Sequence, residues 1–130
     1  MPRFAANLST MYTELPFLQR FDAAAKDGFP AVECQFPYEK PPAEVAAALR
    51  GAGLEQVLIN APAGNAAAGE RGLASLPGRE REFDAALDRA IEYAQALDCS
   101  RVHLMAGLLA DESKRNEQLA TYAVNLRHAA

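Results

Sequence analysis

Cysteine is scarce in this chain: only Cys34 and Cys99 occur in 130 residues. Two cysteines make neither a disulfide framework nor a cysteine-type zinc site. Each reads as a free thiol, in a buried strand or near a helix end, and a reducing, cytoplasmic setting is expected. Long apolar runs are also missing. No stretch of about 18 such residues occurs, so no transmembrane helix and no membrane partner are expected. The start, Met1-Pro2-Arg3-Phe4, lacks the charged-then-apolar build of a secretion signal. Basic charge is not in excess, with 13 Lys and Arg against 17 Asp and Glu and a net charge of -4. An arm that neutralises phosphates needs the opposite balance, so no nucleic-acid partner is expected. No P-loop, GxGxxG, HExxH or EF-hand spacing is found.

What is present is a chain that is 50% apolar, with alanine at 28 of its 130 positions. Fifteen leucines and six phenylalanines lead the larger apolar residues. Alanine-rich helices against short apolar strands suit α/β layering, and the length fits one domain. The order reads as strand then helix, four times. Strands are expected at Phe4 to Leu8, Ala31 to Phe36, Gln56 to Asn60 and Arg101 to Met105. Thr13 is expected to cap a first helix with Pro16 in its first turn, ended by Asp27-Gly28. Pro41-Pro42 opens a second helix over Ala43 to Arg50, closed by Gly51 and Gly53.

A third helix, Glu80 to Leu97, carries an apolar stripe of Phe83, Leu87, Ala90, Ile91, Ala94 and Leu97. The last helix starts near Asp111 to Ser113, with Leu119, Tyr122, Ala123 and Leu126 along one face. The third connection, Ala61 to Gly78, is long and rich in Gly, Ala, Pro and Asn, which predicts a functional or mobile loop.

In parallel α/β folds the active site gathers at the carboxyl ends of the strands. Five residues there and in the long loop are candidates for substrate binding: Glu33, Asn60, Glu70, Arg71 and His103. A carboxylate inside an apolar strand is costly unless paired or usefully solvated. Glu33 therefore either faces a cavity or forms a structural ion pair with an arginine such as Arg3 or Arg101. His103 interrupts Val102 and Leu104 near a strand mouth, as a pocket residue or a satisfied core histidine. Arg71 suits bidentate contact with a substrate carboxylate, against the alternative of a solvated loop. Asn60 and Asn7 offer amide hydrogen bonds to hydroxyls, although Asn is also a common turn residue. Glu80, Arg81, Glu82, Asp84, Asp88 and Arg89 read as the wet face of a helix, and His128 as surface. No set of convergent metal ligands and no paired carboxylates are legible, so the chain shows no complete catalytic constellation.

Four stretches together resemble the hydroxypyruvate isomerase family, part of the xylose-isomerase-like group of TIM barrels. They are Arg3-Phe4-Ala5-Ala6-Asn7-Leu8-Ser9, Gly28 to Glu33 followed by Phe36-Pro37-Tyr38, Ala67 to Arg79, and Arg101 to Gly107. The resemblance implies a parallel (βα)4 half of a TIM (β/α)8 barrel over residues 1–130; the alternative is a small, open, doubly wound sheet. It implies an isomerase of small hydroxy-keto acids, interconverting hydroxypyruvate and tartronate semialdehyde or acting on 2-oxo-tetronates. Two glutamates would move the proton through an enediolate, and a divalent metal, Mg or Mn, would assist in the full-length protein. Those residues belong to the later strands of such a barrel. No catalytic residue and no metal ligand is therefore expected among residues 1–130, and the chain alone is expected to be inactive. A barrel of eight units takes about 250 residues, so the length reads as a truncation before the catalytic half. Open sheet edges are expected to favour self-association. The competing reading is a non-enzymatic α/β module that binds a small anion or a partner.

Overall fold

The computed structural model describes residues 1–130. Its elements are β1 (Ala5–Asn7), α1 (Gln19–Lys26), β2 (Ala31–Cys34), α2 (Pro42–Gly51), β3 (Glu55–Asn60), α3 (Glu80–Ala96), β4 (Val102–His103) and α4 (Arg115–Ala129). Short 3-10 turns at Ala66–Ala68 and Glu112–Lys114 precede α3 and α4. The strands form one sheet in the order β1-β2-β3-β4. Ala5 pairs with Ala31 and Ala31 with Glu55, both in parallel register. Ile59 N–H donates to Arg101 O at 3.4 Å and Ala61 N–H to His103 O at 3.0 Å, so β3 and β4 also run parallel. The sequential order is that of a barrel wall. A doubly wound sheet reverses its strand order at a switch point, which excludes that alternative.

The chain packs as two compact units, residues 1–59 with 91–102 and residues 60–90 with 103–130. The first has a core of Leu8, Phe21, Val32, Cys34, Val45 and Ile59, closed by Tyr93 and Leu97 of the α3 end. The second has a smaller core of Leu73, Ala74, Phe83, Ala86 and Leu87. No helix is long and apolar enough to cross a membrane.

The sheet carries one irregularity. Val32 pairs with Gln56 but Glu33 pairs with Leu58, so Val57 is an extra residue in β3. The buried Gln56 side chain spans this bulge, donating through Nε2 to Leu58 O at 2.9 Å. Bulges re-aim side chains near functional sites, and this one lies beside Glu33.

Several expectations need correction. Strands β1, β2 and β4 are shorter than their apolar runs. Thr13 caps nothing: α1 begins at Gln19 after a series of turns, and its N-cap, Leu18, makes no side-chain cap bond. The reason lies in Arg20, whose guanidinium donates to Leu8 O at 2.8 Å and to Leu15 O at 3.0 Å. Those carbonyls hold the preceding chain in turns, with Tyr12 in the left-handed region at φ 59°. The apolar face expected for α4 is met only in part: Tyr122 packs against the second core and Ala123 is half-buried, but both leucines are exposed. Leu119 is 58% exposed, and the buried residue is Asn125, which donates to Ala74 O at 2.9 Å. In α3 the stripe holds except at Ile91, which is exposed. His128 is exposed, as expected, and faces Asp84 at 3.1 Å.

Both thiols are buried. Burial pushes the Cys34 thiol up to about 12, and it raises that of Cys99 as well. Since the thiolate is the reactive form, neither cysteine is expected to take up a disulfide reagent at mildly alkaline pH until the chain unfolds. Rapid labelling of either thiol in the native chain would contradict this packing.

Candidate functional site

The carboxyl ends of the strands carry polar groups in each unit. In the first unit Asn7 ends β1 and pairs in register with Glu33 of β2. Val32 and Cys34 are buried in the helix-facing core, so strand alternation turns Glu33 to the other face of the sheet. Asn7 Nδ2 donates to Glu33 Oε1 at 2.8 Å, and Asn7 Oδ1 accepts from Ser9 N–H at 2.9 Å. Ser9 Oγ in turn accepts from Gln35 N–H at 2.8 Å. The amide is thereby fixed at both ends, and it holds the carboxylate without neutralising it. No arginine does so either. Arg3 reaches Glu55 at 3.5 Å and Arg101 donates to Val57 O at 3.3 Å. The ion-pair alternative for Glu33 is therefore not what the fold builds.

In the second unit Asn60 and His103 come together, with Nδ1 of the ring 3.3 Å from Asn60 Oδ1. Asn60 Nδ2 faces Met105 Sδ at 3.8 Å. Asn60 is buried, whereas His103 is exposed. The histidine is thus neither a core residue nor loose on the surface: a buried amide holds one edge of its ring.

Of the two expectations for the long loop, functional or mobile, the structure bears on the second: the loop is pinned. Gly72 bridges Ala106 in antiparallel fashion, Ser75 N–H donates to Ala106 O at 2.7 Å and Ala74 N–H to Met105 O at 3.3 Å. Within the loop Asn65 Oδ1 accepts from Ala68 N–H at 3.2 Å, and Glu70 Oε2 accepts from Asn65 N–H at 2.6 Å. Arg79 bonds Glu70 on one side and Glu82 on the other, the latter through Nε at 2.8 Å. Sequence reasoning missed this clamp. In the sequence Glu82 reads as part of a solvated helix face, and although Arg79 sits at i,i+3 spacing from it, nothing local signals the bond to Glu70.

Glu70 and Arg71 accordingly part company. Both Glu70 oxygens are occupied, so it offers no free carboxylate and acts as the latch of the loop. Arg71 is exposed and pairs with no carboxylate; its NH1 donates only to Glu70 O, at 2.8 Å. A cavity of about 120 Å³ adjoins it, walled by residues 68–72 with Leu76 and Leu108; Glu70 is part of this wall, with its carboxylate bonded to Arg79 and the Asn65 N–H. At about 30 Å³ per water this space holds a group the size of a carboxylate.

Hydrogen bonds from Arg79 and the Asn65 N–H hold the Glu70 carboxyl below its usual range, and Arg79 does the same to Glu82. A carboxyl depressed in the folded state contributes stability above its unfolded pKa and loses it as pH falls through the folded value. Protection of the Asn65 and Ala68 amides, taken against the intrinsic exchange rate at each pH, is therefore expected to fall once pH drops below about 4.5. Glu70→Gln should remove most of that pH dependence, and protection that stays constant across this range would refute the latch.

His, Cys, Asp and Glu side chains do not come together here in any group of three or more suited to a metal.

A parallel (βα)4 sheet in sequential order, with polar side chains at its strand ends and in the loop that follows β3, defines a TIM-barrel scaffold. The chain belongs to the xylose isomerase-like TIM barrel family, whose model matches residues 21–130. It is 56% identical over 130 residues to the 2-oxo-tetronate isomerase of Cupriavidus necator, covering 100% of this chain and 50% of that protein. It is 44% identical over 130 residues to the hydroxypyruvate isomerase of Escherichia coli K12, with the same coverage. A crystal structure described as an AP endonuclease, family 2, from Brucella melitensis superposes with a TM-score of 0.95 at 49% identity, over 99% of this chain and 50% of that one. The chain spans about half the length of the curated relatives it matches.

Proposed function

We propose that residues 1–130 form the N-terminal half of an isomerase that moves a carbonyl between adjacent carbons of a small hydroxy-keto acid. The observation that carries this reading is Arg71: a guanidinium without a carboxylate partner, on a pinned loop, beside a cavity of carboxylate size. The names of the relatives supply the reaction class. In the forward direction a base removes a proton from C3 of hydroxypyruvate, the enediolate passes its hydroxyl proton from O3 to O2, and a proton returns to C2. Arg71 binds the carboxylate at C1, which takes no part in the exchange. Glu33, held by Asn7 in the first unit, and His103, held by Asn60 in the second, each stand near the carboxyl end of their own strand. The proton-transferring glutamates are assigned to the half of the relatives that this chain does not cover.

The test joins residues 1–130 to the C-terminal half of the Cupriavidus necator relative. The folded chimera is expected to interconvert hydroxypyruvate and tartronate semialdehyde, or the corresponding 2-oxo-tetronates, while residues 1–130 alone turn over neither. A folded chimera inert on both, or one that instead incises DNA at abasic sites, would overturn the reading. So would turnover by residues 1–130 alone.

A further inference from the structure

We propose that Met105 and Asn60 act as positioning residues that fix the tautomer of His103, leaving its Nε2 with an open lone pair. The inference starts from Asn60, whose two amide orientations are nearly the same in shape and are distinguished only by their partners. One partner is a thioether. Met105 Sδ has no hydrogen to donate and accepts weakly, so it suits the Nδ2 side of the amide, which faces it at 3.8 Å. The opposite orientation would set two acceptors, Oδ1 and Sδ, against each other. With Nδ2 on the sulfur side, Oδ1 is the atom 3.3 Å from His103 Nδ1. A carboxamide oxygen only accepts, so Nδ1 must carry the hydrogen. In a neutral imidazole one nitrogen donates and the other accepts, which leaves Nε2 unprotonated.

Burial supports this division of labour. Asn60 is 7% exposed, whereas His103 is exposed. The amide side of the bond that selects the tautomer is buried, and the ring it orients is open to a ligand. The loop after β3 contributes as well, because Ala74 N–H donates to Met105 O at 3.3 Å and so anchors the backbone that carries the sulfur. On the isomerase reading, on which this ligand assignment rests, the Nε2 lone pair accepts from a hydroxyl of the hydroxy-keto acid. The tautomer itself does not depend on that reading.

The experiment needs no substrate. The 15N shifts and two-bond couplings of His103 are recorded in uniformly labelled chain 1–130 at alkaline pH. The expected spectrum shows a protonated Nδ1 and an unprotonated Nε2. Asn60→Asp keeps an acceptor facing Nδ1 and should retain that pattern. Asn60→Leu removes the acceptor, and Met105→Leu removes the group that orients the amide. Each should shift the tautomer ratio at least about threefold towards Nε2–H. A dominant Nε2–H form in the unaltered chain overturns the proposal without any variant having to fold. A ratio unmoved by Met105→Leu overturns the part assigned to the sulfur. Failure of the chimera to isomerise hydroxy-keto acids, with the tautomer as expected, would instead count against the function and leave this relay standing.

Discussion

Gly72→Ala is expected to destabilise the chain by about 3 kcal/mol, the sum of backbone strain and forced repacking. Gly72 sits at φ +127°, where L side chains are rarely found, and an added Cβ would fall 2.2 Å from Met105 O and 2.6 Å from Gly107 N. Those are backbone atoms, so no side chain can swing aside. The bridge to Ala106 would have to open, and the loop would lose its anchor on the segment after β4. Gly69→Ala is the matched control. Gly69 also has positive φ, at +84°, but nothing lies within 4 Å of its added Cβ. Only the left-handed backbone cost of about 1–2 kcal/mol applies there. Urea denaturation of both variants separates the two effects. Equal losses would mean that the close approach of Gly72 to Met105 is not a constraint.

Arg71→Met in the active chimera is expected to raise KM about 100-fold with little change in kcat, a loss of about 2.7 kcal/mol in substrate binding. On the proposed reading the guanidinium binds the C1 carboxylate, which is adjacent to C2 but is itself unchanged by the exchange, so it holds substrate and transition state alike. Methionine keeps the length of the stem and removes the charge. Arg71→Lys should restore only part of the affinity, because an ammonium cannot make the paired contacts of a planar fork. Steady-state kinetics on hydroxypyruvate would decide this. A KM unchanged by Arg71→Met would leave the cavity beside it without a role in binding.

Much of the scaffold was legible in the sequence because its signals are local. The 3.6-residue stripe from Phe83 to Leu97 gave α3, and Gly28 ended α1 as a left-handed cap. What escaped depends on partners distant in sequence. Thr13 has the chemistry of a helix cap, but Arg20 holds the carbonyls of Leu8 and Leu15 and delays the helix. The apolar pattern of α4 points to Leu119, yet the buried amide of Asn125 is chosen by a single carbonyl, that of Ala74. The composition of residues 61–78 signals a loop and says nothing of the pins, which lie at Met105 and Ala106. The site shows the same divide. Glu33 and His103 stand out as polar residues inside apolar strands, but Asn7 and Asn60 as the groups that orient them follow only from the sheet register and the approach of β4 to β3.

The sequential strand order has a kinetic meaning. Ala5 meets Ala31, and Ala31 meets Glu55, so each of the first two strand pairings closes a chain segment of roughly 25 residues. Every strand finds its partner in the segment made just before it, and the sheet can grow from the amino terminus as the chain emerges from the ribosome. The closure of β4 on β3 spans more chain, because the pinned loop and α3 intervene. Loop entropy rises only as the logarithm of length, with each doubling costing about 0.6 kcal/mol. That step is therefore slower by a small factor at most, and this connection is where a family of barrels can lengthen a binding loop at little cost to folding.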